Sequence, residues 1–406
     1  MDPSKNPYTP GAGAKPTVFV GRDAEIEDFQ TALTRLRSGE AARSQILYGL
    51  RGVGKTVLLD EFDLLARERG WITSSIECNE DDELGPLIAK LCHRALRHLS
   101  RGKRMTDTVK RATGALKAFV WTLDPDSGKL QFNIDIEAAK GLADSGDLET
   151  DIVELLSEVG RAALDGNSGA LFLVDEMHVL RKGDLALLMA ALQKVGREQL
   201  PVMLVGAGLP QLPLTLTKSK AYAERLFVYQ EIGGLSKPDA VRALKAPAGR
   251  RGVDIEPDAV EFIIERSGCY PFFLQQWGET TWEEAIGDDV ITLDDARAAE
   301  EVVSHFLETR FFKDRYDRAS EAERIYMAAM ADLGPGAHSS RAIADHMNAK
   351  TSALSVVRGR LLEKGLIYNE VDSDLSFTVP QFDSYIRRIH PFDPNERPRL
   401  GRPRSH

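Results

Sequence analysis

Two short stretches of this chain carry residue types whose spacing suits phosphate chemistry. The first, Gly49-Leu50-Arg51-Gly52-Val53-Gly54-Lys55-Thr56, fits G-x-x-x-x-G-K-[ST] at every fixed position. Glycines let successive backbone N–H groups curl round phosphate oxygens, and a helix opening at Val57 adds favourable partial charge at its N-terminus. In such a loop Lys55 reaches the β- and γ-phosphates, and the Thr56 hydroxyl is placed to ligate Mg²⁺. The second stretch, Ala170-Leu171-Phe172-Leu173-Val174-Asp175-Glu176, ends an apolar run in two acids. Asp175 would hold Mg²⁺ through water, and Glu176 would polarise the water that attacks the terminal phosphate.

These groups need a strand, a loop and a helix to bring them together. Ile46-Leu47-Tyr48 reads as a strand entering the loop, and residues 57–69 read as an amphipathic helix leaving it. Residues 170–176 read as a strand buried on both faces, whose end lies at the carboxyl edge of the sheet where α/β ligands bind. Further strands are expected at 71–77, 202–208 and 226–230. Helices are expected from Asp23, which is read as a cap, and at 84–99, 151–164 and 185–195. Five apolar strands alternating with helices make a three-layer parallel α/β sheet the natural architecture. The separation of 120 positions from Lys55 to Asp175 is long for such a unit. An insertion at about 100–150 would account for them, read as a β-hairpin from 119–123 and 130–136 around Asp124-Pro125-Asp126-Ser127-Gly128.

Composition narrows the setting. The 406 residues are long enough for two or three domains. No run approaches a membrane span and the N-terminus lacks a signal-peptide apolar region, so a cytoplasmic protein without a membrane partner is expected. Cys78, Cys92 and Cys269 are scattered, without the spacing of a zinc site or a disulfide framework. The net charge of −10 argues against indiscriminate nucleic-acid coating. Charge is uneven, however: residues 335–406 hold 11 basic and 8 acidic residues, the one segment that leans positive. The basic run Arg94, Arg97, Arg101, Lys103, Arg104, Lys110 and Arg111 reads as a solvated helix face.

Residues 1–16, rich in Pro, Gly and Ala, read as a disordered leader, and 17–234 as the sheet domain. From Ser236 the pattern turns helical, with starts at Pro257, Pro271, Thr292 and a Ser320/Glu323 capping box. Residues 235–315 then form a helical lid domain. Residues 316–390 read as a winged helix-turn-helix: helices at 321–330, 340–347 and 351–364, the last with Val356, Leu361 and Leu362 inward, then a hairpin at 366–368 and 375–379 around Asp372-Ser373-Asp374. Lys350, Thr351, Ser352, Ser355, Arg358 and Arg360 are candidates for DNA contact, although an acidic hairpin tip would repel phosphate. Residues 391–406 read as a disordered tail.

With Phe19-Val20-Gly21-Arg22, the loop at 49–56, Leu173-Val174-Asp175-Glu176 and the C-terminal segment in view, the chain resembles P-loop ATPases of the AAA+/STAND superfamily, particularly the bacterial proteins related to replication-initiator ATPases. The resemblance implies that Val20, Gly21 and Arg22 lie against the adenosine moiety, so that ATP or ADP with Mg²⁺ is the ligand. It implies that Arg225 is an arginine finger. Two departures stand out. Gly206-Ala207-Gly208 replaces a polar sensor at the end of the fourth strand, and Tyr270-Pro271 replaces a lid arginine, looking more like the Gly-x-Pro element with which STAND switches contact the base. Two readings stay open: an ATPase with slow, regulated hydrolysis coupled to domain movement and directed to DNA, or a nucleotide-gated switch of negligible turnover acting through protein partners. Either could work as a homo-oligomer or with a protein partner.

Overall fold

The computed structural model describes residues 1–11, 13–100, 106–124, 137–287, 289–370 and 374–396. Its centre is a five-stranded parallel sheet: β1 (Ser44–Tyr48), β2 (Ile72–Glu77), β3 (Ala170–Asp175), β4 (Val202–Gly208) and β5 (Phe227–Glu231), in the order β2-β3-β4-β1-β5. Successive side chains of the central strands go to opposite faces. Leu47, Leu171, Leu173, Met203 and Val205 join one core, and Ile46, Phe172, Val174, Val202 and Leu204 the other. This explains why the strands read as unbroken apolar runs.

The first core takes in α1 (Asp23–Arg37) and α2 (Lys55–Glu68) and continues into the C-terminal half. The second is built on α3 (Leu84–Ser100), α4 (Asp107–Leu123), α5 (Leu148–Asp165), α6 (Lys182–Arg197) and α7 (Leu212–Ser219), with α8 (Ala223–Leu226) leading into β5. Asp23 is not a cap: Arg22 stands at that position without a side-chain cap, and Asp23 lies in the first turn, where its charge complements the helix dipole.

The expected hairpin is not formed at 119–123, which is the last turn of α4; residues 130–136 lie outside the described residues. Read alone, Phe-Val-Trp-Thr-Leu alternates like a strand. In the longer segment Val109, Ala112, Leu116, Phe119 and Val120 recur at helical spacing and are buried, and the Thr106 hydroxyl accepts from the Val109 N–H at 3.3 Å. Tertiary packing against α3 and α5 outweighs the local strand preference.

After the sheet come α9 (Lys237–Gly249), α10 (Pro257–Ser267), α11 (Pro271–Glu284) and α12 (Leu293–Phe306), the last passing through a π-turn (Leu307–Phe312) into α13 (Lys313–Asp317). Ser236 and Thr292 cap α9 and α12 as expected. The C-terminal unit consists of α14 (Glu321–Asp332), opened by the Ser320/Glu323 capping box, α15 (Ser340–His346) and α16 (Thr351–Glu363). An antiparallel pair, Ile367–Asn369 with Leu375–Phe377, follows, and then α17 (Phe382–Ile389). On α16 the inward residues are Leu354, Val357 and Leu361. Leu361 is inward as expected and Leu362 packs partly against the core, whereas Val356 is 60% exposed and Val357 takes the inward place expected of it.

The leader is not loose. Tyr8 is 3% exposed, its hydroxyl donates to the Leu244 carbonyl at 2.5 Å, and its ring fills the place where a Cβ on Gly278 would sit 2.5 Å away. Trp282 Nε1 donates to the Asp2 carbonyl at 3.0 Å, and Asn6 Nδ2 to that of Glu279 at 3.1 Å. Side chains, not a backbone ladder, tie down this segment, which is why its composition gave no sign of order. In the tail, Phe392 packs at a tilt against the His346 ring at 4.7 Å and Glu396 lies 2.9 Å from His390, so the first residues after α17 are held in place; 397–406 lie outside the described residues.

Candidate functional site

Parallel pairing of β4 with β1 on one side and β3 on the other sets the ends of the strands level, so the loop after β1 and the acids after β3 meet at the same edge of the sheet. The Thr56 hydroxyl donates to Asp175 Oδ2 at 2.6 Å, and the other carboxylate oxygen accepts from the Glu176 N–H at 2.8 Å. Glu176 itself stands in the left-handed region (φ 51°), an uncommon place for a non-glycine residue that turns its carboxylate out of the strand. A hydroxyl and a carboxylate this close are hard oxygen donors of the kind Mg²⁺ takes alongside phosphate oxygens, so these residues fit the ion.

Lys55 is buried and donates from Nζ to the carbonyls of Gly49 (2.9 Å) and Leu50 (2.7 Å). Burial pulls its pKa down to about 8, against the opposing pull of Glu176 and Asp175. Burial also raises the Glu176 pKa, an effect that Arg51 offsets. His178 Nδ1 lies 3.2 Å from Glu176 Oε2 without a hydrogen-bonding alignment, and burial with the charges of Arg51 and Lys55 takes its pKa down to about 3. The ring is therefore neutral near pH 7.

A cavity of about 490 Å³ opens over these groups. Val20, Arg22, Arg51, Gly52, Val53, Gly54, Lys55, Thr56, Val57, Glu176 and Pro271, all expected at the site, line it. Arg22 is fixed by donation to the carbonyls of Val53 (3.1 Å) and Gly233 (2.6 Å), which ties the segment before α1 to the loop. The other expected residues support it from behind. Gly49 allows the close approach of the Ile232 carbonyl, which a Cβ would meet at 2.1 Å, and Leu50 contributes its carbonyl to Lys55. Gly21 (φ +72°) turns the chain beside Leu235, and Asp175 lies beneath Thr56. Tyr270 packs on Gly52, where an added Cβ would meet both Tyr270 and Phe272 at 3.2 Å; the Phe272 N–H donates to the Gly52 carbonyl at 3.2 Å. Arg225, by contrast, is exposed on α8 and does not line this cavity.

Three parts of the wall were not foreseen. The leader contributes Thr9, Pro10, Gly11, Gly13 and Ala14, the lid Phe272 and Gln275, and the segment before α14 Phe311 and Arg315. Gly11-Ala12-Gly13 carried the only sequence hint of the first, and it lacked a preceding strand. The glycines at the end of β4 also gain a reason: a Cβ on Gly206 would sit 2.5 Å from Met177 Sδ, and one on Gly208 would sit 3.3 Å from His178 Cβ. The turn after Glu176 thus occupies the space a polar side chain would need.

Residues 18–205 match the AAA ATPase domain family, and residues 309–386 match a domain of unknown function (DUF8462). Among solved structures the chain is similar to a Walker-type ATPase of Pyrococcus abyssi, with TM-score 0.54 and 16% identity over 91% of this chain and 96% of that one. It is also similar to the ORC2 protein of Aeropyrum pernix, solved as ADPNP–ADP complexes, with TM-score 0.52 and 15% identity over 93% and 96%. No curated protein sequence matches it significantly. At these identities the structural likeness is one of fold. Among the described residues, no helix is long and apolar enough to cross a membrane. Residues 18–205 thus match the AAA ATPase domain family, in a chain whose fold is similar to those of the Walker-type ATPase and the ORC2 protein.

Proposed function

We propose that this protein binds ATP with Mg²⁺, hydrolyses it slowly under regulation, and uses the nucleotide state to move its C-terminal unit, with DNA as the target. The observation that carries the proposal is the Thr56–Asp175 hydrogen bond of 2.6 Å beside a buried Lys55, at the floor of a cavity large enough for a nucleotide. Lys55 and the loop amides hold the phosphates, and Thr56 and Asp175 hold the cation. The cation supplies charge neutralisation for the β- and γ-phosphates. Glu176, whose pKa burial raises and Arg51 pulls back, orients the attacking water in its carboxylate form. The adenine side falls to the 18–22 segment and Pro271 by family resemblance.

A DNA target is supported by the C-terminal unit, which we read as a winged helix. Its α16 exposes Thr351, Ser352, Ser355 and Arg360, and Lys350 is exposed at the cap position before it. Arg358 is half-buried and donates to Ser340 Oγ at 2.7 Å, so it braces α15 against α16 more than it reaches outward. The competing reading, a nucleotide-gated switch of negligible turnover acting through protein partners, is favoured by one observation: Arg225 is absent from the chain's own cavity, so a finger role needs a second molecule.

The test is ATP turnover of the full chain with and without duplex DNA, beside Lys55→Ala. Removing the lysine is expected to weaken ATP binding by roughly a thousandfold, the scale of two or three charge-assisted hydrogen bonds. Turnover that rises with DNA supports the proposal. Tight nucleotide binding without turnover in either condition selects the switch, and no binding at all overturns both.

A further inference from the structure

Arg315 lies 260 residues from Lys55 in sequence, yet both line the same cavity. Its guanidinium sits 3.9 Å over the Phe311 ring and donates to the Phe311 carbonyl at 2.5 Å, and the one carboxylate that acts on it, that of the neighbouring Asp314, is the weakest influence on its charge. The charged residues lining the cavity are Arg22, Arg51, Lys55 and Arg315 against the single acid Glu176. Glu176 acts on Arg51 and Lys55 together, so one acid in the lining faces four cations, and a polyanion would balance the surplus. Arg22 is spent on two backbone carbonyls, so Arg51 and Arg315 are the guanidinium groups with donors to spare.

The backbone around Arg315 singles it out further. It follows the π-turn Leu307–Phe312, a local distortion often found at functional sites. It also follows Phe311 and Phe312, which knit three parts of the fold together. Phe311 stacks at 4.8 Å on Phe272, the residue whose N–H donates to the Gly52 carbonyl of the phosphate loop. Phe312 stacks on Phe382 at 6.0 Å, at the start of α17. Arg315 is thus carried on a rigid aromatic strut with one end on the nucleotide loop and the other in the C-terminal unit.

We propose that Arg315 binds the terminal phosphate of a nucleoside triphosphate in the same molecule, and that this contact sets the position of the C-terminal unit. The inference rests on the nucleotide-binding reading above. A diphosphate leaves Arg315 without its partner, so the two nucleotides hold the strut differently. The role is one of binding and positioning: Arg315 supplies neither the water nor the proton of hydrolysis.

The experiment is calorimetric titration of the full chain with Mg²⁺ and either ADP or the non-hydrolysable ADPNP, for the parent protein and Arg315→Ala. The variant is expected to lose about tenfold or more in affinity for ADPNP and less than about threefold for ADP, the scale of one partly buried charged hydrogen bond. Equal losses for both nucleotides, or none for either, overturn the inference. A parent protein that binds neither overturns the nucleotide reading instead. Hydrogen exchange across Phe382–Ile389 reads the coupling: a difference between ADPNP and ADP in the parent that survives in the variant refutes it. If Arg315→Ala does not fold, Arg315→Gln and Arg315→Lys take its place under the same criterion, the lysine variant keeping part of the preference for ADPNP.

Discussion

The two walls of the nucleotide cavity are built by different means. The floor, with Lys55, Thr56, Asp175 and Glu176, hangs from β1 and β3, parallel strands held in register by backbone hydrogen bonds to β4 between them. The roof, with the leader, the N-terminal end of α11 and Arg315, is brought in from distant segments and held by side chains such as Tyr8, Phe272 and Phe311. A ladder of backbone bonds resists sliding as a unit. Side-chain docking can open one contact at a time. The floor is therefore suited to chemistry, which needs fixed distances, and the roof to responding to what is bound.

The contrast can be broken most sharply at Glu176. Glu176→Gln keeps shape and hydrogen-bonding capacity but removes the negative charge, so turnover should fall roughly a hundredfold while nucleotide affinity changes little. Phosphate release measured beside nucleotide binding checks this, and turnover equal to the parent's would remove the floor from catalysis and favour the switch.

A smaller effect should appear with pH. The buried Lys55 has its pKa lowered to about 8, so in the free protein its ammonium loses the proton as pH rises through that value. Only the charged form satisfies phosphate. ATP affinity should be level below about pH 7.5 and then drop by up to about tenfold per unit, with proton uptake on binding. Titrations at pH 7 to 9.5 in buffers of different ionisation enthalpy would show it, and constant affinity across the range would mean that Lys55 is better solvated than its burial implies.

The mildest change belongs to the roof. Tyr8→Phe leaves the ring against Gly278 but removes the donor to Leu244, costing about 1 kcal/mol of leader docking. Release of bound ADP should speed up by no more than about fivefold, with turnover per bound ATP unchanged. Stopped-flow displacement measures the first. A fall in turnover per bound ATP would show that floor and roof are not separable.

Much of the floor was legible because its signals are local. A phosphate loop needs glycine at Gly52 and Gly54, both at positive φ, and it needs a lysine and a hydroxyl at the start of a helix, so the requirement is written within eight residues. Strands buried on both faces betray themselves as unbroken apolar runs, and the capping residues Ser236, Thr292 and Ser320 announced their helices. At 119–123 the same local reading misled, because five residues of β-favouring type were part of a helix whose burial pattern spans seventeen.

What the amino-acid order determined without help was therefore the strand-loop-helix unit, the acids after β3 and the alternation that builds the sheet. Short-range backbone geometry dictates each of these. Tertiary structure alone decided that a Pro- and Gly-rich leader would close over Thr56, that the turn at Met177 would leave room only for glycine at Gly206, and that Arg315 would enter the cavity. Those outcomes depend on which surfaces meet after the chain has folded back on itself, and a contact between residues hundreds of positions apart leaves no periodicity to read.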